Sequence, residues 1–249
     1  MEKIGVADYG MFVWYGGYYD YDGRLEDVRK IGFDGLERLY PTSPEDALRK
    51  ASELKKKGLG FATCNAQNPE LAIRWTAALG GKYVWAEVQG YTFEAYLRQV
   101  REQTKVANKY GIDVVVHNHM GTKIETQEQL ETMLLECPDT KLLFDTGHLA
   151  VAGGDVEYIA KKYYDRIAAY HLKGWQTSST PNDEAWSKRG HFCGLGQGDT
   201  FINNEFVYKQ AVKKGFDGWV FIEHDTHERD PLIDLKESYD ILKKWRSEI

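Results

Sequence analysis

The sequence predicts an α/β protein folded as a single (β/α)8 TIM barrel, and three observations lead to this prediction. Short apolar runs alternate with helical patterns eight times along the chain. Glycines that end helices stand just before predicted strands, as Gly32, Gly58, Gly111 and Gly215 do. The length of 249 residues is what one such barrel typically needs. A doubly wound open sheet is the alternative, but no glycine-rich fingerprint follows the first strand.

The predicted elements follow one another in regular order. Strands are expected at residues 4–7, 33–37, 59–64, 83–88, 112–116, 142–144, 167–172 and 219–222. Helices are expected at residues 24–31, 44–57, 69–79, 92–110, 126–138, 155–164, 205–214 and 231–245, with Ser43, Thr126 and Asp155 in N-cap positions. Residues 174–200 form a long connection, which is typical of a lid or binding loop near the mouth of the active site. Since no domain boundary is visible, residues 1–249 are expected to form one domain.

Composition and charge exclude several classes of protein. The net charge is −6 and no basic tract occurs, which argues against a nucleic-acid partner. No apolar run is long enough to span a bilayer and no signal peptide is recognisable, so no membrane partner is expected. The three cysteines are far apart and form no CxxC pair, which indicates reduced thiols. We therefore predict a cytoplasmic enzyme.

Acidic residues, histidines and one lysine are concentrated where the predicted strands end. They are Asp8, Glu37, Glu87, His117, His119, Asp145, His148, His171, Lys173, Glu223 and His224. The carboxyl ends of barrel strands meet at one mouth, so these side chains are expected to lie together. Any one of them could be only a cap or a core residue, but their recurrence favours a divalent metal site. A mixed oxygen and nitrogen site accepts manganese, cobalt, magnesium and zinc.

A metal site of this kind suits a substrate that carries a carbonyl beside hydroxyl groups. A divalent ion stabilises the negative charge that develops when a carbon-bound proton leaves, and a nearby carboxylate removes that proton. The chain also contains 16 tyrosines and 7 tryptophans, and an aromatic stretch follows the first strand. Tyr9 and Trp14 are therefore predicted to stack on a sugar ring. Packing on a neighbouring loop or on a second subunit is the equal alternative, which leaves a homo-oligomer open.

Three motifs stand in order along the second half of the chain. They are His117-Asn118-His119-Met120-Gly121-Thr122 followed by Ile124-Glu125-Thr126, then Asp145-Thr146-Gly147-His148 with Ala152-Gly153-Gly154-Asp155, and finally His171-Leu172-Lys173. Together they resemble the xylose-isomerase-like barrels, a family that includes ketose 3-epimerases, inosose dehydratases and endonuclease IV-type DNA-repair enzymes. The resemblance is densest over residues 114–173 and 194–223, and it is strongest to the inosose dehydratases.

The resemblance implies a role for individual residues. Asp145, His171 and Glu223 match metal ligands, and Glu223 also matches a base. The epimerases carry a glutamate on the fifth strand where this chain has the His-Asn-His run, so Glu125 is expected as the fourth ligand, with His117 as the alternative.

The remaining candidate residues are assigned to the substrate. His148 matches a substrate-contacting histidine, and His119 is expected to protonate a departing hydroxyl. Lys173 either polarises a substrate oxygen or pairs with an acid. Glu37 and His117 are expected to contact the substrate, although Glu37 also fits a buried carboxylate that only bonds backbone amides.

These assignments predict a metal-dependent carbohydrate lyase. We expect dehydration of a keto-inositol or keto-sugar, with Mn²⁺ as the first choice of metal. A metal-dependent sugar isomerase or 3-epimerase is the alternative, followed by an endonuclease IV-type enzyme. A sugar-binding module without catalysis is a third class, which the retained ligand residues argue against.

Overall fold

The computed structural model describes residues 1–7, 20–90, 92–224 and 229–249. Its strands are β1 (Lys3–Val6), β2 (Gly35–Leu39), β3 (Gly60–Cys64), β4 (Tyr83–Trp85), β5 (Asp113–His117), β6 (Lys141–Asp145), β7 (Ile167–Leu172), β8 (Gly174–Thr177), β9 (Gly190–Cys193) and β10 (Trp219–Ile222). Its helices are α1 (Tyr21–Ile31), α2 (Pro44–Lys56), α3 (Pro69–Ala78), α4 (Phe93–Asn108), α5 (Gln127–Glu136), α6 (Thr146–Val151), α7 (Val156–Lys162), α8 (Trp186–Arg189), α9 (Asn204–Lys213) and α10 (Pro231–Ser247), with a 3-10 turn at Tyr164–Arg166.

Eight parallel strands form a nearly closed barrel, as the sequence predicts. The hydrogen-bonded order is β3-β2-β1-β10-β7-β6-β5-β4, so the ladder begins and ends at two strands that follow each other in the chain. Helices lie between successive strands and cover the sheet from outside. Their first turns are capped by side chains at the expected residues Ser43, Thr126 and Asp155, and Thr126 forms a full capping box with Gln129.

The lower half of the barrel is filled by large rings placed against small residues. Trp219 and Phe221 stack on neighbouring interior positions of β10, with ring centroids 5.4 Å apart and planes 7° from parallel. A Cβ atom at Gly5 would stand 2.6 Å from the Phe221 ring, so only glycine leaves room there. This packing closes the barrel axis below the strand ends and leaves the carboxyl ends for chemistry.

The structure adds elements that the sequence analysis did not predict. Residues 174–200, predicted as an irregular connection, contain the antiparallel hairpin of β8 and β9 and the short helix α8. Helix α6 begins directly at the end of β6, because Asp145 is both the last strand residue and the helix N-cap. Strand β2 lies two residues later than predicted, and β4 ends three residues earlier.

The two ends of the described chain are joined by a buried ion pair. The Glu2 carboxylate contacts the Arg246 guanidinium and accepts a hydrogen bond of 2.9 Å from the Tyr208 hydroxyl. The side chain of Glu2 is 1% exposed and that of Arg246 is 27% exposed. This contact ties the last helix, α10, to the residue that precedes β1. Across the described residues, no helix has the length and apolar character needed to cross a membrane.

Candidate metal centre

Four potential metal ligands converge above the barrel interior. They are His117, Asp145, His171 and Glu223, and one ligand atom from each lies within 4.8 Å of the others. Three of the four residues are buried, and His117 is partly buried. Side chains alternate along a strand, so a residue two places beyond an interior residue also faces inward. The interior residues that precede the four ligands are Val115, Leu143, Ala169 and Phe221.

Asp145 is held so that one carboxylate oxygen remains for the site. Its Oδ1 accepts the backbone N–H of His148 at 2.8 Å and caps α6. Its backbone N–H and C=O both bond the side-chain amide of Asn118, each at 2.9 Å. Its Oδ2 faces His117 at 3.2 Å. The backbone of β6 is thereby fixed to β5 at the point where the ligands meet.

His171 is oriented by carboxylates on both sides of its ring. Nε2 lies 3.0 Å from Glu37 Oε1, and Nδ1 lies 3.1 Å from Glu223 Oε2 and 3.6 Å from Asp145 Oδ2. Trp85 donates its Nε1–H to the same Oε1 of Glu37 at 3.1 Å. Burial alone would lower the pKa of His171, but Glu37 and Glu223 raise that pKa well above its ordinary value. Nε2 of His171 therefore faces Glu37, and Nδ1 faces the carboxylate oxygens of Asp145 and Glu223.

Lys173 supplies positive charge to these oxygens. Its side chain is fully buried, and its ammonium lies 2.8 Å from Asp145 Oδ2 and also contacts Glu223 Oε2. Burial opposes ionisation of both acids, yet Lys173 and the neighbouring histidines hold the pKa values of Asp145 and Glu223 well below their usual range. The ammonium lies 4.5 Å from the centroid of the Phe192 ring. The two oxygens thus form a position that attracts a cation.

His117 contributes a neutral imidazole to the group. Burial lowers its pKa to about 4, although Asp145 works against this shift. A neutral ring has a lone pair on one nitrogen, which is the form that binds metals. Trp85 and His171 pack on this ring at centroid distances of 4.8 Å and 4.9 Å.

A second pair of histidines lies beside the ligand group. The rings of His119 and His148 are in contact, with centroids 3.6 Å apart and planes tilted by 35°. Trp186 meets both rings edge-on at centroid distances of 5.6 Å and 5.8 Å. Burial lowers the pKa values of both imidazoles. His117 and His119 also line an open cavity of about 490 Å³ at the ends of β4 and β5. The ligand group is therefore next to a space that a small molecule can enter.

Comparison with known proteins assigns the chain to a family. The profile of the xylose isomerase-like TIM barrel family matches residues 25–245. The chain belongs to this family. It is 27% identical to an inosose dehydratase of Mesomycoplasma hyopneumoniae over 97% of this chain and 95% of the relative. It is 31% identical to an inosose dehydratase of Clostridium botulinum over 86% of this chain and 84% of the relative.

Two solved structures share the fold of this xylose isomerase-like barrel. The probable 3-DHS dehydratase AsbF of Bacillus anthracis superposes with a TM-score of 0.74 at 16% identity, over 97% of this chain and 98% of that one. The IOLI protein with a bound zinc atom superposes with a TM-score of 0.68 at 17% identity, over 99% of this chain and 97% of that one. At these identities the likeness concerns the fold.

The structure brings together most of the residues that the sequence singled out. Asp145, His171, Glu223, Lys173 and Glu37 share direct contacts, and His117, His119 and His148 lie beside them. Glu125 does not join the ligand group. Its carboxylate accepts the backbone N–H of Gly121 at 2.9 Å and stabilises the turn after β5. Tyr9 and Trp14 lie outside the described residues.

Three side chains at the site were not found by sequence reasoning. Trp85 donates to Glu37, Asn118 holds the backbone of Asp145, and Phe192 packs on His148 at 4.4 Å between ring centroids. The alternation of side chains along β4 would have identified Trp85, since it lies two residues after the interior Tyr83. Asn118 was visible only as the centre of the His-Asn-His run.

Proposed function

We propose that this protein is a divalent-metal-dependent dehydratase that acts on a keto-inositol or a related keto-sugar. The observation that carries the proposal is the convergence of His117, Asp145, His171 and Glu223 beside a paired set of histidines. The inosose dehydratases that the chain resembles along almost its whole length support the same reaction class.

The side chains at this site fit a divalent cation. Two buried carboxylate oxygens converge on one cation, the ammonium of Lys173, and two imidazole rings complete a mixed oxygen and nitrogen donor set. Glu37 serves as the outer partner that orients a histidine ligand, an arrangement common in protein metal sites. A bound divalent ion would polarise the substrate carbonyl and stabilise the charge left by proton removal. Mn²⁺ is our first choice.

The chain's own residues perform the proton transfers in this proposal. Glu223 takes the carbon-bound proton next to the carbonyl, and the bond between the next carbon and its hydroxyl breaks. Lys173 gives a proton to that hydroxyl, which leaves as water. Because the Glu223 carboxyl and the Lys173 amine are in contact, the first proton then returns to Lys173 and the site is restored.

Isomerisation or epimerisation is the second candidate, since the first proton transfer is shared. The solved fold of an L-ribulose 3-epimerase superposes on this chain, which supports only the architecture. The histidine at position 117 separates the candidates, because the epimerases carry a glutamate on this strand as their second base. A His117 nitrogen that binds the metal has no lone pair left to accept a proton, so it does not replace that glutamate as a second base.

Metal analysis of the purified protein and three variants tests the site. We expect about one divalent ion per chain in the wild type and in Glu125→Gln. We expect none in the Asp145→Ala/His171→Ala double variant and a large loss in His117→Ala. If the His117→Ala variant retains the metal and the Glu125→Gln variant loses it, Glu125 is the fourth ligand. A wild type that takes up no metal when Mn²⁺ is supplied would refute the proposal.

A further inference from the structure

Two buried asparagine side chains continue the hydrogen bonding of the barrel beyond its last main-chain pairs. The last pair between β5 and β6 includes His117, and the last pair between β6 and β7 joins Asp145 and His171. Asn118 and Asn204 form the next contacts across these two strand pairs, and they are 0% and 5% exposed. Both amides therefore lie where three of the four proposed metal ligands leave the sheet.

Asn118 bonds both main-chain groups of Asp145. Its Nδ2 donates to the carbonyl of Asp145 at 2.9 Å, and its Oδ1 accepts the N–H of Asp145 at 2.9 Å. Asn118 directly follows His117 in the chain. The contact therefore joins the ligand at the end of β5 to the ligand at the end of β6.

Asn204 makes the corresponding connection between β6 and β7 from the first residue of α9. Its Nδ2 donates to the carbonyl of Lys173 at 2.9 Å, and its Oδ1 accepts from the hydroxyl of Thr146 at 2.5 Å. The same hydroxyl lies 3.2 Å from the carbonyl of His171. Thr146 directly follows Asp145, and Lys173 is two residues after His171. Asn204 therefore joins the chain beside one ligand to the chain beside the next.

Both positions require one donor and one acceptor from the same short side chain. A primary amide offers both, whereas a carboxylate only accepts and a leucine offers neither. A buried carbonyl left without a donor is destabilising, so each asparagine is needed in its observed orientation. The fourth ligand has no such need, because the N–H of Glu223 donates directly to the carbonyl of Leu172 at 3.3 Å.

We infer that Asn118 and Asn204 are positioning residues that hold His117, Asp145 and His171 at the mutual spacing that a metal ion requires. They act through the main chain of the ligand residues and their neighbours. Ligands that are held in place before the metal binds lose less conformational freedom on binding, which raises the affinity. This inference rests on the metal-binding part of the proposed function.

Asn118→Leu and Asn204→Leu test the inference, because each removes the amide and keeps a side chain of similar size. We expect the Mn²⁺ affinity of each variant to fall roughly 10- to 100-fold in calorimetric titrations. We also expect the visible absorption of the Co²⁺-loaded protein to change, since that spectrum depends on the coordination geometry.

Gln210→Leu is the matched control on the same helix. The amide of Gln210 also donates to a buried main-chain carbonyl, that of Ala160 at 2.8 Å, but neither residue belongs to the ligand group. Its midpoint of thermal unfolding should fall, while its Mn²⁺ affinity and its Co²⁺ spectrum should equal those of the wild type. A purely structural contact is expected to behave in this way.

Thr146 provides a milder pair of variants that does not depend on the folding of the asparagine variants. Thr146→Val removes the hydroxyl and keeps the shape, so it should weaken Mn²⁺ binding and alter the Co²⁺ spectrum. Thr146→Ser keeps the hydroxyl and should restore both. Wild-type affinity and spectrum in the folded asparagine variants, or equal weakening in the valine and serine variants, would overturn the inference.

These measurements use the metal alone, so they are separate from the reaction. A wild type that binds Mn²⁺ and leaves keto-inositol unreacted would refute the proposed dehydration, and the asparagine variants would still decide the inference. A wild type that dehydrates keto-inositol, with asparagine variants that bind Mn²⁺ as tightly, would keep the proposed function and refute the inference.

Discussion

The Glu37→Gln substitution separates a metal-orienting role from a substrate-binding role for this buried acid. Oε1 of Glu37 accepts from both His171 and Trp85, at 3.0 Å and 3.1 Å. A glutamine carbonyl in the same place keeps both hydrogen bonds and removes only the negative charge. The variant therefore tests the charge at His171 with little change of shape.

The expected magnitude follows from the bond that is weakened. A hydrogen bond to a charged group contributes about 1.5–3 kcal/mol, compared with about 1 kcal/mol for a neutral pair. The difference of about 0.5–2 kcal/mol corresponds to a roughly 2- to 30-fold change in an equilibrium constant. Substitutions of an outer partner typically weaken metal affinity roughly 10- to 100-fold. We expect Mn²⁺ affinity to fall roughly 10- to 30-fold, with the KM for keto-inositol unchanged at saturating Mn²⁺.

Calorimetric titration of metal-free protein with Mn²⁺ measures this effect. Glu87→Gln is the matched control, because Glu87 also follows a barrel strand but lies away from the ligand group, beside Gln103. Its metal affinity should equal that of the wild type. An unchanged affinity in Glu37→Gln together with a raised KM would refute the orienting role and return Glu37 to the substrate-binding role expected from sequence.

Three further predictions concern stability and reactivity. Arg246→Ala leaves the buried Glu2 carboxylate without its cation and should lower the free energy of unfolding by about 3 kcal/mol in urea titrations; a change below about 1 kcal/mol would contradict a buried ion pair. Gly121→Ala forces a side chain onto a φ of 75° and puts its Cβ 2.8 Å from Trp186 Nε1. It should lower the free energy of unfolding by about 1–2 kcal/mol and alter Trp186 fluorescence. Wild-type stability together with wild-type fluorescence would contradict this packing. Burial raises the pKa of the Cys64 thiol to about 11 from its ordinary 9, so the native thiol stays protonated at pH 8 and should resist maleimide until urea unfolds the chain. The thiol of the unfolded chain ionises at a lower pH than the native thiol. The contribution of this buried thiol to stability is therefore complete below pH 9 and is lost as the pH rises towards 11. Rapid labelling of the native protein at pH 8 would contradict a buried, protonated Cys64.

Local patterns were sufficient to predict the barrel. Helix caps such as Ser43 and Thr126 and helix-ending glycines are readable from a few neighbouring residues, and they place the helices within a few residues of their observed ends. The hairpin of β8 and β9 was missed because its sequence is short and its apolar residues do not alternate with polar ones over a long run.

The candidate site was predictable in part, and its geometry explains the rest. Asp145, His171 and Glu223 lie at the carboxyl ends of their strands or directly after them. The rule that these ends meet at one mouth of the barrel therefore predicts all three. Glu125 was expected ahead of His117 because the resembled epimerases carry a glutamate on the fifth strand. In the structure β5 extends to His117, and alternation from Val115 turns His117 inward, whereas Glu125 lies in the turn after β5.

The contact between His171 and Glu37 could not be predicted from the sequence. Glu37 is 134 residues away in the chain, and only the closure of the barrel brings the two side chains together. No local pattern contains that information.

The most direct test of the account is the reaction of keto-inositol in D2O with protein loaded with Mn²⁺, followed by mass spectrometry. The account predicts that the substrate loses one water, that this requires the metal, and that chelation or the Asp145→Ala/His171→Ala double substitution abolishes it. Exchange of the carbon-bound hydrogen without loss of water would identify an isomerase or epimerase instead. Neither exchange nor water loss with metal-loaded protein would contradict the central claim that this site removes a proton next to a carbonyl.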